Sequence, residues 1–177
     1  MTPQRKRNAE RGFTLIELLI VVAIISIIAA VAVPNLMKSK QSGNEVSAAT
    51  SLQAISKAQV MYSVSCGGGA YAAVLTTLGT PSPGTTEAYL SPDLAGSAAP
   101  TKAGYAFTMT PGAGAAPGPN DCNGTATTTT YYATAVPQTF GQTGSRSFAV
   151  NAAGTVWMNN TAAAPTEPFG APSQTYR

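Results

Sequence analysis

The sequence predicts an α+β fold in which one long N-terminal helix packs on a four-stranded antiparallel sheet. Three observations predict it. An apolar run at residues 13–33 continues into helix-forming sequence up to about residue 65. Three consecutive glycines, residues 67–69, then stop the helix. Four β-prone segments follow with no helices between them, which favours antiparallel pairing.

The first twelve residues form a basic leader. They hold Arg5, Lys6, Arg7 and Arg11 against Glu10, so their net charge of +3 equals that of the whole chain. The remainder is neutral and has no clustered basic face, so we expect no nucleic-acid partner. Next to an apolar span, the basic cluster predicts an N-terminus that stays in the cytoplasm while the rest is exported.

Residues 13–33 are long enough to cross a membrane. As a helix they would extend about 31 Å at roughly 1.5 Å per residue, against a hydrocarbon core of about 30 Å. They have no polar face, which indicates surroundings of lipid or packed helices. Glu17 is the one charged residue in this run, and an unpaired charge in apolar surroundings is energetically costly. A secretory signal cut after the Ala-Val-Ala of residues 30–32 is the alternative, although the run is long for one.

Pro34 closes the apolar run. It lacks an N–H and its ring crowds the preceding turn, so we expect it to kink the helix or to end it. Residues 34–65 form the amphipathic second half of the helix, with a weak point at the Ser-Gly-Asn of residues 42–44. We expect an apolar stripe of this half to cover the sheet. The stripe comprises Val46, Ala49, Leu52, Ile55 (or Ser56), Val60 and Val64.

Residues 66–177 form the predicted globular head. Residues 66–103 are punctuated by Pro and Gly and predict a loop with a short helix around 72–78. The sheet occupies about residues 104–158. Its strands are predicted at 105–109, 127–136, 146–150 and 154–158, with a loop at 111–124. An Ala/Pro/Thr-rich, loose tail at 159–177 completes the head.

Cys66 and Cys122 are the only cysteines. In an exported domain such a pair predicts one disulfide, which would stabilise the fold by about 4 kcal/mol. Two unrelated free thiols are the alternative. The chain has no histidine and no CxxC motif, which disfavours zinc. Asp93, or Asp121 with its asparagine neighbours, offers too few oxygen ligands for calcium, so we expect no metal and no cofactor.

The sequence does not favour a catalytic function. Without histidine, the commonest general base is missing. Ser145 and Ser147 have no base partner in view, and the glycine triplet lacks the Lys-Ser/Thr of a phosphate-binding loop. We therefore expect a protein that is not an enzyme and has no catalytic residues.

Residues 11–20, RGFTLIELLI, followed by Pro34, resemble the N-terminal processing and methylation segment of type IV pilins and of the pseudopilins of type II secretion. The resemblance is close over residues 5–36. Residues 37–65 and the sheet resemble the family in layout only. A basic leader, Gly, Phe, Thr and a buried Glu in this order form a specific motif, which a chance membrane span rarely carries.

The resemblance implies roles for four residues. A prepilin peptidase would remove the leader after Gly12, and Phe13 would become the N-methylated N-terminus. Glu17, one helical turn away, would then pair with the new α-ammonium in the same chain or in a neighbouring one. Pro34 would let the helix bend in a fibre. The alternative for Glu17 is that it reaches the headgroups beside Arg11.

We interpret the chain as a structural subunit of a type IV pilus-like filament. Before assembly it would be a single-pass inner-membrane protein with its N-terminus inside, surrounded by lipid. The resemblance implies as partners prepilin peptidase, further copies of the chain, and a membrane assembly platform with a cytoplasmic ATPase. One alternative is a type II secretion pseudopilin, in a periplasmic pseudopilus rather than a surface pilus. Another is a membrane-anchored minor pilin acting as an adhesin or DNA-binding tip.

Overall fold

The computed structural model describes residues 12–176, so leader residues 1–11 lie outside the described part. The chain divides into two compact units, Met1–Lys38 and Ser39–Arg177. Helix α1 runs Leu15–Ser65, close to the predicted 13–65. Pro34 lies inside α1, so of its two expected effects, a kink or a helix end, the helix end is wrong. A proline removes one backbone hydrogen bond, which the neighbouring turns of a 51-residue helix tolerate.

In the first unit, the described residues 12–38 are exposed on every side. Ile16, Leu18 and Leu19, which point in different directions around the helix, are 66, 59 and 61% exposed. The most apolar part of α1 is long and apolar enough to cross a membrane, and none of it is buried within the chain. Such a surface requires either lipid or other helices around it.

The second unit adds two short helices and nine strands to the end of α1. The helices are α2 Leu75–Leu78 and α3 Pro92–Ala95, and the strands are β1 Tyr71–Ala72, β2 Thr101–Lys102, β3 Tyr105–Pro111, β4 Pro117–Asn120, β5 Ala126–Thr128, β6 Tyr131–Pro137, β7 Ser147–Asn151, β8 Trp157–Asn159 and β9 Gln174–Thr175.

The strands form two antiparallel sheets. One has six strands in the order β2-β3-β6-β7-β8-β9, and the other has three in the order β1-β5-β4. The four predicted strands correspond to β3, β6, β7 and β8 and lie side by side as a meander. Predicting only four strands was wrong, because β1, β2, β4, β5 and β9 contain two to four residues each. Strands this short are formed by their partners and not by their own propensity.

β4 shows this dependence most clearly. Its sequence Pro-Gly-Pro-Asn has poor strand propensity and was predicted as loop. It pairs with β5 because one long hairpin continues from β3 and β6 into β4 and β5. The Gly112 N–H donates to the Thr130 carbonyl (3.1 Å), and the Thr129 N–H donates to the Ala116 carbonyl (3.0 Å). The predicted strand 127–136 is therefore bent into β5 and β6.

The core of the second unit joins one face of α1 to the six-stranded sheet. Ala49, Leu52, Ile55 and Ser56 of the predicted stripe are buried, but Val46, Val60 and Val64 are 51, 55 and 84% exposed, so the stripe was partly wrong. The buried face instead includes Ala48, Ala58, Gln59 and Tyr62 beside Leu52 and Ile55, and it meets Phe107, Met109, Ala133 and Phe148 of the sheet.

Gln59 explains why the buried face differs from the valine stripe. Its side chain is fully buried, and its amide donates to the Ala72 carbonyl and accepts from the Ala72 N–H, both at 2.9 Å. The side chain thereby pairs with β1 as a neighbouring strand would. A buried amide with both groups paired avoids the desolvation penalty of unpaired polar groups.

The end of α1 is tied to the β4–β5 turn. A disulfide joins Cys66 and Cys122, as predicted, with Cα atoms 4.8 Å apart. The Tyr62 hydroxyl donates to Asp121 Oδ2 (2.8 Å), and burial together with this bond raises the pKa of Tyr62. Gly68 and Gly69 turn the chain away at φ of 59° and 88°, which glycine adopts without strain.

Leu52→Ala tests which face of α1 is buried. Leu52 is fully buried, so truncation should lower the free energy of unfolding by about 2–5 kcal/mol. Val64→Ala, on the exposed face, should change it by less than about 0.5 kcal/mol. Denaturant unfolding of the full chain in detergent, followed through Trp157 fluorescence, measures both. Equal losses from the two variants would contradict the assigned face.

Candidate functional site

Gly12 and Phe13, the predicted cleavage pair, precede the first turn of α1. Both are exposed, and the Phe13 side chain is 80% exposed. A Cβ added at Gly12 would meet no atom of the described residues within 4 Å. The bond between the two residues is therefore open to approach on the described side.

Thr14 and Glu17 form a capping box at the start of α1. The Thr14 N–H and hydroxyl both donate to Glu17 Oε2, at 2.9 and 2.6 Å. In return, the Glu17 N–H donates to Thr14 Oγ1 at 3.3 Å. This reciprocal pattern satisfies two backbone donors that the first helical turn leaves without partners. It also places a carboxylate at the positive end of the helix dipole.

The capping box was missed by the sequence analysis, although its signature was present. Threonine followed three residues later by glutamate, before an apolar run, is the pattern that predicts it. Glu17, the charged residue within the apolar run, is thus part of a helix cap in its own chain. Within residues 12–176, Oε1 of Glu17 makes no hydrogen bond, so this oxygen remains available to a further donor.

Polar side chains further along the apolar helix bond back to its own carbonyls. Ser26 Oγ donates to the Val22 carbonyl at 2.8 Å, and Asn35 Nδ2 donates to the Val31 carbonyl at 3.1 Å. Local bonds of this kind remove the need for an outside partner. Pro34 lies between these residues in the continuous helix and is exposed.

The two carboxylates considered for calcium are both engaged by protein donors. Asp121 Oδ1 accepts the N–H groups of Asn123 (2.9 Å) and Thr125 (2.6 Å), while Oδ2 accepts Tyr62. Asp93 accepts from Lys102 at 2.7 Å, and bonds from Lys102 and then Ser91 lower its pKa. Residues 12–176 contain no group of three or more metal-binding side chains. These acids serve as turn and surface contacts.

Comparison with known proteins identifies the segment around the cleavage pair. Residues 7–33 match the family model described as the prokaryotic N-terminal methylation motif. No solved structure matches the chain.

Curated relatives match over about a third of the chain. The type IV major pilin protein PilA of Myxococcus xanthus is 49% identical over 59 residues, 33% of this chain and 27% of its own length. The type IV wide pilus major component PilA4 of Thermus thermophilus is 50% identical over 58 residues, 33% and 44% of the two chains. The type II secretion system core protein G of Escherichia coli is 38% identical over 58 residues, 33% and 40%.

The chain thus spans less than half the length of these relatives. The apolar helix and this motif together imply a membrane location. Over this segment, the chain is similar to type IV pilus components and to core protein G of type II secretion.

Proposed function

We propose that this chain is a structural subunit of a type IV pilus-like filament that polymerises through its N-terminal helix. The observation that carries the proposal is the Thr14–Glu17 cap at the head of an exposed apolar helix, inside a segment matching the methylation motif. The exposed helix needs other helices once it leaves lipid. The cap holds a carboxylate beside the residue at which the mature chain would begin.

The first step is processing by a prepilin peptidase. Hydrolysis of the peptide bond between Gly12 and Phe13 releases leader 1–12 and converts the Phe13 amide into an α-ammonium, which is then methylated. In the uncleaved chain the Phe13 nitrogen is uncharged, so Glu17 has no cationic partner there. Cleavage creates that partner next to Thr14, to which Glu17 is already bonded.

Three regions would then divide the mature chain. Residues 13–33 cross the inner membrane and later form the filament core, residues 34–65 continue the helix through Pro34 into the head, and residues 66–177 complete the head. The basic leader supports an N-terminus inside the cell and a head outside the cytoplasm. The Cys66–Cys122 disulfide supports the same placement, because disulfides persist in oxidising compartments.

Glu17 would set the register of assembly. Its Oε2 is bound by Thr14, which orients the carboxylate, while Oε1 can accept an α-ammonium from the same chain or from a neighbouring subunit. In an apolar environment an unpaired charge costs several kcal/mol, so a subunit with its charges paired is favoured over a shifted one. A membrane platform with a cytoplasmic ATPase would supply the work of extraction from lipid.

A surface pilus is favoured over a secretion pseudopilus. The two type IV pilus components are 49 and 50% identical over the shared segment, against 38% for core protein G of Escherichia coli. Because core protein G matches a similar span, a type II secretion pseudopilin is the second candidate. A DNA-binding tip is disfavoured, since Lys102 and Arg146 of the head are already paired with acids.

Mass spectrometry of the protein from membranes and sheared fibres tests processing. We expect a mature chain that begins at Phe13 and carries one added methyl group on its α-nitrogen. A chain that keeps its leader, or one that begins near residue 33, would contradict the proposal.

Glu17→Ala tests the register function. The variant should lose its leader normally but yield at least about tenfold less sheared filament, because the Phe13 ammonium stays unpaired. Ser26→Ala is the matched control, since Ser26 bonds only to its own helix. Filament yield is measured by quantitative immunoblotting against the membrane pool. Normal filament from Glu17→Ala would remove the proposed role.

Thr14→Val tests the cap separately. Losing the side-chain cap should destabilise the first helical turn by about 1 kcal/mol, whereas Thr14→Ser should preserve it. Amide hydrogen exchange at residues 15–18, measured by NMR on the full chain in micelles, should therefore become roughly fivefold faster in Thr14→Val alone. Unchanged exchange would show that the capping box does not form.

A further inference from the structure

The head carries an exposed aromatic side chain on a rigid loop. We call residues 139–144, between β6 and β7, the Phe140 loop. Its backbone is bonded internally: the N–H groups of Gln142 and Thr143 donate to the Thr139 carbonyl (3.0 and 2.9 Å), and the Gly141 N–H donates to the Gly144 carbonyl (2.8 Å). Phe140 flanks the turn of residues 141–143, pairs with Gly144 in an isolated β-bridge, and has 44% of its surface exposed. The loop therefore presents a fixed apolar projection.

Three side chains of helix α1 bind this loop and the residues that follow it. Gln41 donates its amide to the Gly141 carbonyl, and Asn44 Nδ2 donates to the Thr143 carbonyl at 2.9 Å. Glu45, which is buried, accepts the Ser145 N–H (2.8 Å) and pairs with Arg146 Nε (2.8 Å). With so many bonds, little conformational freedom remains to be lost when Phe140 is covered, which favours binding.

The other end of the head carries an apolar groove, which we call the Tyr89 groove. It has a volume of about 860 Å³ and lies between the last turns of α1 and residues 82–89. Val60, Met61 and Val64 form one wall and are 55, 61 and 84% exposed. Three large apolar side chains side by side on one helical stretch form an apolar patch, and its exposure to water is unfavourable.

The opposite wall of the groove is fixed as well. The Tyr89 hydroxyl forms hydrogen bonds with the hydroxyls of Ser65 (2.7 Å) and Ser82. Its ring packs edge-on against Tyr62 with centroids 5.5 Å apart. The groove thus has a fixed aromatic ring on one wall and aliphatic side chains on the other.

The charges at the two ends are complementary. Among the described residues, Glu87 is the only charged one that lines the Tyr89 groove. Lys40 precedes Gln41, the residue bonded to the Phe140 loop. Within residues 12–176, neither Glu87 nor Lys40 takes part in a salt bridge. A contact that brings the two ends together can therefore pair Lys40 of one copy with Glu87 of the other.

We propose that Phe140 of one copy of this chain inserts into the Tyr89 groove of another copy, with Lys40 facing Glu87. The two surfaces differ, so the contact is head-to-tail and leaves one surface free at each end, which generates an open array and not a closed dimer. Residues 41 and 64 are about 35 Å apart along α1, so each contact advances the array by a length of that order. The proposal rests on the filament function and names the second surface through which it assembles.

Site-specific photocrosslinking tests the contact in assembled filaments. Phe140 is replaced by p-benzoylphenylalanine in the full chain, which is co-expressed with a differently tagged unmodified copy. Irradiation should link the two tagged chains, with the bond mapped to residues 60–64 of the other copy, mainly to Met61 because benzophenone abstracts hydrogen beside a thioether sulfur. The same replacement at Thr155, an exposed residue before β8, is the control and should not give this product.

Other products overturn the proposal. These are a bond from position 140 to a different region of a second copy, to another protein, to lipid or within its own chain, and the absence of any product. If the unmodified chain yields no filament at all, the proposed function fails and this contact fails with it. If filaments form but the bond lies elsewhere, only the contact is wrong.

Point variants give an independent measurement. Phe140→Ala and Met61→Ala should each lower sheared filament about tenfold, while Gln142→Ala on the same loop and Val74→Ala, an exposed residue outside the groove, should leave it unchanged. Lys40→Glu and Glu87→Lys should each lower the yield of sheared filament, and combining the two changes should restore part of that yield. Formation of the Cys66–Cys122 disulfide in each variant shows that the head has folded. Normal filament from folded Phe140→Ala would refute the contact.

Discussion

The head depends on one buried face of α1, built from alanines, larger apolar side chains and a single amide. Ala48, Leu52 and Ile55 bring the helix close to the sheet, and Gln59 replaces a missing strand by pairing with both backbone groups of Ala72. Substituting one half of such a buried pair would leave the other unsatisfied, at about 1–3 kcal/mol. The short strand β1, and through it the three-stranded sheet, is therefore held by a helix side chain.

Polar contacts fix this face at its two ends. Glu45 binds Ser145 and Arg146 near the start of the head, and at the other end Tyr62 bonds to Asp121 beside the Cys66–Cys122 disulfide. Breaking a buried ion pair leaves an uncompensated charge, so such pairs specify one arrangement even where they add little net stability. The same contacts make the Phe140 loop and the neighbourhood of the Tyr89 groove rigid, which joins the stability of the head to its proposed role in assembly.

The sequence predicted the long helix, the four central strands and the disulfide, because each has a strong local pattern or a single available partner. It was wrong about the valine stripe. Val46, Val60 and Val64 have the hydrophobicity and spacing of a core face, yet the core selected Ala48, Gln59 and Tyr62. Side-chain volume and hydrogen bonding across the interface decided this, and neither can be seen in the periodicity of one helix. The Thr14–Glu17 cap was predictable from its spacing and was overlooked.

The N-terminal segment was open to inference from sequence because its properties are local. A basic flank, an apolar run of sufficient length and an acid three residues after a threonine are properties of neighbouring residues in the sequence, and they predict a processed, membrane-spanning helix. The groove and the exposed loop were decided by tertiary structure alone. Residues 60–64 and 82–89 form a groove only because the chain folds back after Gly69, and Phe140 stays exposed only because its loop is bound to α1. Long-range contacts decide which apolar residues remain outside the core.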